Sequence, residues 1–138
     1  MKPTKLGFER VDNGVDKNAP LLYQILVTFR ETGEVKTIYV GKSENGAGRP
    51  YQRYDANIRR KIAGLPPLNG SRYRPVHHDL HAAYSAGHRV SIELVRNVDL
   101  SNESILAAEA SLQRQHNLKP LAGQEARQLN DMGHPLNK

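Results

Sequence analysis

The chain has 138 residues, 38% of them hydrophobic, enough for one compact core and short for two. Its 20 Lys and Arg against 14 Asp and Glu give a net charge of +6 and a pI near 9.7, which favours polyanionic partners, while the absence of cysteine excludes disulfides, thiolate metal sites and cysteine nucleophiles. No apolar run approaches the roughly 20 residues that span a bilayer, and "MKPTKLGFERVDNG" has no apolar signal-peptide centre, so a soluble intracellular protein without membrane contact is expected.

Residues 1–20 are polar, end at the turn signal "NAP", and read as an arm with little regular structure. "LLYQILVTF", residues 21–29, and "TIYVG", residues 37–41, are rich in β-branched and aromatic types and flank the glycine turn "ETGEVK", which predicts a hairpin. Pro50 suits the first position of a helix, where its missing N–H has no partner to lose. In that helix Tyr51, Tyr54, Ile58 and Ile62 form one apolar stripe, with Arg53, Asn57 and Arg60 on another face. A breaker-rich loop, "AGLPPLNGSRYRP", leads to a second helix from about Val76 to Ala86, stopped by Gly87. "VSIELV" alternates as a third strand. Asp99 and Ser101 are cap candidates for a third helix from about Asn102 to His116, and the tail from Gln124 to Lys138 shows weak helical potential followed by turn residues. The order β-β-α-α-β-α predicts an α+β fold with a small three-stranded, largely antiparallel central sheet flanked by helices.

Four features carry chemical information. On a helical wheel Glu109 shares an arc with Ile105 and Leu112, so a carboxylate faces the core. Burying it requires a compensating arginine, a hydrogen-bond network or a metal ion, and a structural salt bridge at the edge of the stripe is the plain alternative. Arg49 sits just before a helix start, where it opposes the helix dipole unless an anion is bound or its side chain swings away. Tyr23 and Tyr39 are ordinary packing residues of a hairpin, or hydroxyls aimed at the glycine loop, where Lys42 adds either a nearby cation or a solvated surface charge. "RPYQRYDANIRRK" and "GSRYRPVHH" interleave arginine with tyrosine, a chemistry suited to phosphate contacts beside stacking surfaces; these segments hold Arg53, Arg60, Lys61, Arg72, Arg74 and His77. His77 and His81 have the i, i+4 spacing of a metal pair but no evident third ligand, and "GAG" lacks the lysine context of a nucleotide-binding P-loop.

Taken in order, these residues resemble the GIY-YIG nuclease family. "LLY" is similar to the first family motif, with Tyr23 at its tyrosine, and "YVG" to the second, with Tyr39 and Gly41. Arg49 follows Tyr39 by ten residues, the separation of the family's essential arginine, and "AAEASLQRQHNLKP" is similar to its glutamate helix, with Glu109 at the metal-binding carboxylate. The form "YVGK" is similar to the nuclease domain of the bacterial nucleotide-excision-repair incision subunit.

The resemblance spans residues 21–123, leaving 1–20 as an arm and 124–138 as a tail. It implies a Mg²⁺- or Mn²⁺-dependent endonuclease acting on nucleic acid, DNA before RNA, in the cytoplasm of a bacterium or a virus-infected host cell. Glu109 would hold the metal, Arg49 would stabilise phosphorane charge, Tyr23 would help deprotonate the attacking water, and Tyr39 would orient water or phosphate. Lys42 would lower the tyrosine pKa, and Arg53, Arg60 and Lys61 would follow the nucleic-acid backbone. The chain departs from the family pattern in three places. Leu21 and Leu22 replace Gly and Ile; Arg53 stands where many members keep a histidine or tyrosine, with Tyr54 or His77 as substitutes; and Gly123 lies nearest the place of an asparagine after the glutamate helix. The last two favour the alternative of a catalytically impaired nuclease fold that binds nucleic acid. With little room for a recognition domain, specificity would come from the loop 64–75, the arms, a homodimer or a protein partner.

Overall fold

The computed structural model describes residues 4–118. Its elements are β1 (Glu9–Val11), β2 (Leu21–Thr28), β3 (Val35–Ser43), a π-helical turn (Arg49–Arg53), α1 (Tyr54–Ile62), α2 (Pro75–Ser85), β4 (Arg89–Asn97) and α3 (Ile105–Gln115). The α+β class agrees with the sequence reading, but the sheet is four-stranded and mixed, in the order β1-β4-β2-β3. The extra strand comes from the supposedly irregular arm: Glu9, Arg10 and Val11 pair in parallel with Ser91, Ile92 and Glu93 of β4. The expected tail, 124–138, and Gly123 lie outside the described residues.

The central strand β2 runs antiparallel to both neighbours. Its far half alternates buried and half-buried positions, whereas Leu21, Leu22 and Tyr23 are all buried, so the sheet is covered on both faces at the end where β2 begins. The register slips between Ile25 and Leu26 against β3, and between Leu22 and Tyr23 against β4. These irregularities bracket Tyr23 and Tyr39, and a bulge is a means of re-aiming a side chain that regular pairing would not allow.

Two glycines are required by contact rather than by turn geometry alone. Tyr23 pairs with Gly41, and its ring lies across the glycine; a Cβ there would stand 2.5 Å from Tyr23 Cζ and Oη. Gly46, at φ +90°, brings the "SENGAG" loop so close to the arm that a Cβ would stand 2.2 Å from the Lys17 carbonyl oxygen, which also accepts the Ala47 N–H at 2.9 Å. The arm therefore sets the position of the loop that ends at Arg49.

The helix after that loop begins as a π-helical turn with Pro50 in its first positions and continues without a break into α1. Tyr51, Tyr54 and Ile58 bury as the stripe predicts, while Ile62 stays exposed. Asn57, assigned from sequence to an outer face, is buried because the following loop folds over it, and its Oδ1 accepts the Leu68 N–H at 2.8 Å. Helix α2 packs on α1 and β4, and α3 packs on β3 and β2. Helix α3 begins at Ile105 rather than Asn102. The Asp99 carboxylate is engaged in a preceding turn with Ser101 and Asn102, and the cap is Ser104, whose Oγ accepts the Ala107 N–H at 3.2 Å. Among the described residues no helix is long and apolar enough to cross a membrane.

Gly41→Ala should destabilise the fold by about 1–3 kcal/mol, because the Tyr23 ring must shift away from the new methyl and so disturb its hydrogen bond to Tyr54 and its packing on Tyr39 and Tyr54. Urea unfolding of the two proteins measures this, and equal midpoints would refute the contact.

Candidate active site

Tyr23 and Tyr39 project from the hairpin toward Tyr54 at the start of α1, and the three rings lie at centroid separations of 6.0–6.2 Å. All three are buried. The Tyr23 and Tyr54 hydroxyls are 2.6 Å apart, a short hydrogen bond joining the middle of the sheet to the helix. Arg74, at the N-cap of α2, donates from Nη1 to the Tyr39 hydroxyl and from Nη2 to the Tyr54 hydroxyl, both at 3.4 Å, with its guanidinium 5.9 Å from the Tyr54 ring centre. Desolvation works against the charge of Arg74, but the hydroxyls of Tyr54 and Tyr39 outweigh it and hold the pKa above its ordinary value.

Glu109 reaches the same place from α3. It is 3% exposed, in line with the wheel, and Gln113, one turn later and 2% exposed, donates from Nε2 to the Val40 carbonyl at 3.4 Å, tying α3 to β3 beside Tyr39. The three tyrosines, Glu109 and the cations Lys42, Arg49 and Arg74 line a cleft of about 160 Å³. All five residues that the sequence singled out for chemistry, Tyr23, Tyr39, Lys42, Arg49 and Glu109, are therefore in one cavity. A neighbouring cleft of about 210 Å³ shares Arg49, Tyr54 and Arg74 and adds Arg53, Arg72 and His77, together with Asn57 and Asn69. Four arginines and no carboxylate face it.

The other residues read from the sequence lie in different surroundings. Arg60 and Lys61 face neither cleft: Arg60 Nε donates to the Pro66 carbonyl at 2.6 Å, and Lys61 Nζ lies 2.8 Å from His81 Nδ1. Both stand about two turns, roughly 10 Å, farther along α1 than Arg53, past the groove that Arg53 lines, so distance along the helix axis and not rotation separates them from it. His77 and His81 do not converge. His77 is buried against Tyr54 and Tyr73 and accepts the Arg74 N–H through Nδ1 at 3.1 Å, whereas His81 meets the Lys61 ammonium. Lys42 is not the cation that bears on Tyr23. Burial, then the neighbouring Tyr54 and Tyr39, push the Tyr23 pKa well above its ordinary value, and Arg74 is the group that opposes them.

Among the described residues, no three His, Asp or Glu side chains converge to enclose a metal ion. One buried carboxylate beside phenolic oxygens fits a hard divalent cation whose remaining ligands are phosphate oxygens and waters, the usual manner of Mg²⁺. Tyr54, Arg74 and Gln113 are the site residues whose importance sequence reasoning understated. From sequence Tyr54 is a member of the apolar stripe and a substitute for Arg53, Arg74 is one of several arginines suited to phosphate contacts, and Gln113 carries no signal beyond its place one turn after Glu109. Comparison with protein-family models, with curated proteins and with solved structures finds no match.

Burial of His77, followed by the charges of Arg74 and His78, lowers its pKa to about 4. The imidazole folds neutral, so its contribution to stability is complete above the unfolded pKa near 6.5 and is lost as pH falls toward 4. The penalty of His77→Gln, measured by urea unfolding, should therefore be smaller at pH 4.5 than at pH 7 by about 2–3 kcal/mol. An equal penalty at both pH values would refute the buried neutral state.

Proposed function

We propose that the protein is a metal-dependent endonuclease that hydrolyses phosphodiester bonds of nucleic acid, DNA before RNA, and that it is a member of the GIY-YIG family it resembles. The supporting observation is the convergence of Tyr23, Tyr39, Lys42, Arg49 and Glu109, from two strands, a helix start and a distant helix, into one cleft. A carboxylate and three cations around phenolic hydroxyls match the needs of phosphodiester hydrolysis, in which negative charge grows on the phosphoryl oxygens as water adds and one P–O ester bond breaks. Mg²⁺ or Mn²⁺ at Glu109 would supply Lewis-acid polarisation of the phosphoryl group.

The side chains divide the remaining work. Arg49, exposed at the mouth of the cleft and at the first turn of its helix, meets the phosphate through its guanidinium. Tyr23, with its raised pKa, does not act as a standing phenolate. The Tyr23–Tyr54 pair would first lose one proton to solvent, Arg74 would stabilise the single negative charge the pair then shares, and the pair would return to neutral by taking the attacking water's proton. Tyr39, held by Arg74, orients water or phosphate. The four-arginine cleft beside the site holds the neighbouring phosphates, so Arg53, Arg72 and Arg74 position the chain without reading bases.

Plasmid and oligonucleotide substrates incubated with Mg²⁺ or Mn²⁺ should be nicked or cut. Glu109→Gln should reduce the rate by a thousandfold or more with DNA binding retained, and Arg49→Gln by about 10²–10³-fold. Cleavage by Glu109→Gln at the wild-type rate would sink the mechanism. Salt-dependent binding with no metal-dependent cleavage would select the catalytically impaired binding module instead.

A further inference from the structure

The largest of the three clefts is not the catalytic one. A groove of about 460 Å³ lies between the N-terminal arm and the start of α1, and Lys5, Arg10, Arg53 and Arg59 line it with a single carboxylate, Asp55. That carboxylate is already committed: Asp55 accepts the Leu6 N–H at 2.9 Å and Arg59 Nε at 2.7 Å, and although burial works to raise its pKa, hydrogen bonds from Thr4, Leu6 and Arg59 together lower it. The nearby Asp12 is likewise engaged, by the Tyr51 hydroxyl and by Lys17 at 3.4 Å. Lys5, Arg10 and Arg53 make no salt bridge among the described residues, so the groove carries a concentrated positive charge.

Arg10 is the most telling of these residues. Its guanidinium stacks 5.4 Å from the centre of the Tyr51 ring, and its Nε is buried without a hydrogen-bond partner among the described residues. A folded chain rarely leaves a charged donor so placed, because the lost hydration is uncompensated unless a ligand restores it. Nor is Arg10 loosely held: it belongs to β1, whose parallel pairing with β4 fixes the backbone, while the Leu6–Asp55 bond anchors the segment that carries Lys5. The arm thus brings two cations, Lys5 and the strand residue Arg10, to the start of α1.

We propose that this groove is a second phosphate-binding site, which takes the sugar–phosphate backbone of the nucleic-acid substrate at a distance from the cleaved bond. The proposal rests on the nuclease reading above and extends it. Continuity supports a polymer over a compact anion: Arg53 lines both this groove and the four-arginine cleft, which in turn shares Arg49 and Arg74 with the catalytic cleft. Three connected basic cavities suit phosphates repeated along a strand. On this view Arg53 links the two binding surfaces where an aromatic or histidine would not, and the arm adds contact area beyond the other two clefts.

The test uses the full chain in the Glu109→Gln background and a labelled duplex of about 30 base pairs, with affinity followed against salt. Lys5→Gln and Arg10→Gln should each weaken binding and flatten the slope of log K against log salt by about 0.9, while Arg10→Lys retains most of the slope. With Glu109 restored, Lys5→Gln should raise the KM for DNA cleavage. Lys5 is exposed, so this variant decides the matter if Arg10→Gln fails to fold. Slopes unchanged by Lys5→Gln while Arg72→Gln flattens them would overturn the proposal and leave the nuclease reading intact. If neither wild type nor any variant binds DNA, both fall. Binding of 5′-AMP that Arg10→Gln abolishes, with the DNA slope unchanged, would overturn it in favour of a free-nucleotide site.

Discussion

The hydrogen bond between the Tyr23 and Tyr54 hydroxyls joins the central strand of the sheet to the first turn of α1, and much of the architecture serves to place those two oxygens 2.6 Å apart. From the sheet side, Tyr23 reaches that point because Gly41 leaves room for its ring and because register slips in the neighbouring pairings bracket it. From the helix side, Tyr54 arrives because a π-helical turn precedes α1, and that turn is positioned by a loop held against the Lys17 carbonyl. A buried hydroxyl pair that satisfies itself costs little, whereas either partner alone would carry an unmet desolvation penalty of about 1–3 kcal/mol. The pairing therefore links two elements that have no backbone bond between them.

Arg74 converts this structural contact into an electrostatic one. By donating to Tyr39 and Tyr54 it gathers all three phenols around one cation, and the same residue lines both the tyrosine-lined and the arginine-lined clefts. Glu109 completes the cavity from the opposite direction in sequence, on a helix tied to β3 through Gln113. The result is a small volume in which one carboxylate, three cations and three phenols face each other. The three phenols and Glu109 are buried and held by packing, so they would need little reorganisation around a bound anion, which is the condition under which electrostatic stabilisation is most effective.

The N-terminal arm has a larger part than its composition suggests. Its polar sequence hides a three-residue strand that closes one edge of the sheet, a carbonyl that fixes the glycine loop, and an amide that binds Asp55 of α1. Three residues are too few for a periodic pattern to show, and parallel pairing with β4 depends on where a strand some eighty residues away comes to lie. The start of α3 was misplaced for a related reason. Asp99 and Ser101 have cap chemistry, but they use it on each other, and only the folded backbone shows that Ser104 holds the Ala107 N–H.

By itself the sequence determined what rests on local physics: the strands around Tyr23, Tyr39 and Ile92, the three helices to within a turn, the exclusion of thiolate chemistry, and the placement of Glu109 on a buried helix face. Each follows from periodicity or composition within about one element's length. Only the tertiary structure decided that the arm adds a fourth strand, that Tyr54 and Arg74 belong to the inner site while Arg60 and Lys61 do not, and that Arg74 rather than Lys42 bears on Tyr23. Those outcomes depend on how elements far apart in the chain rotate and approach each other, and on which polar groups then lose water together. No run of neighbouring residues encodes that separately from the packed whole.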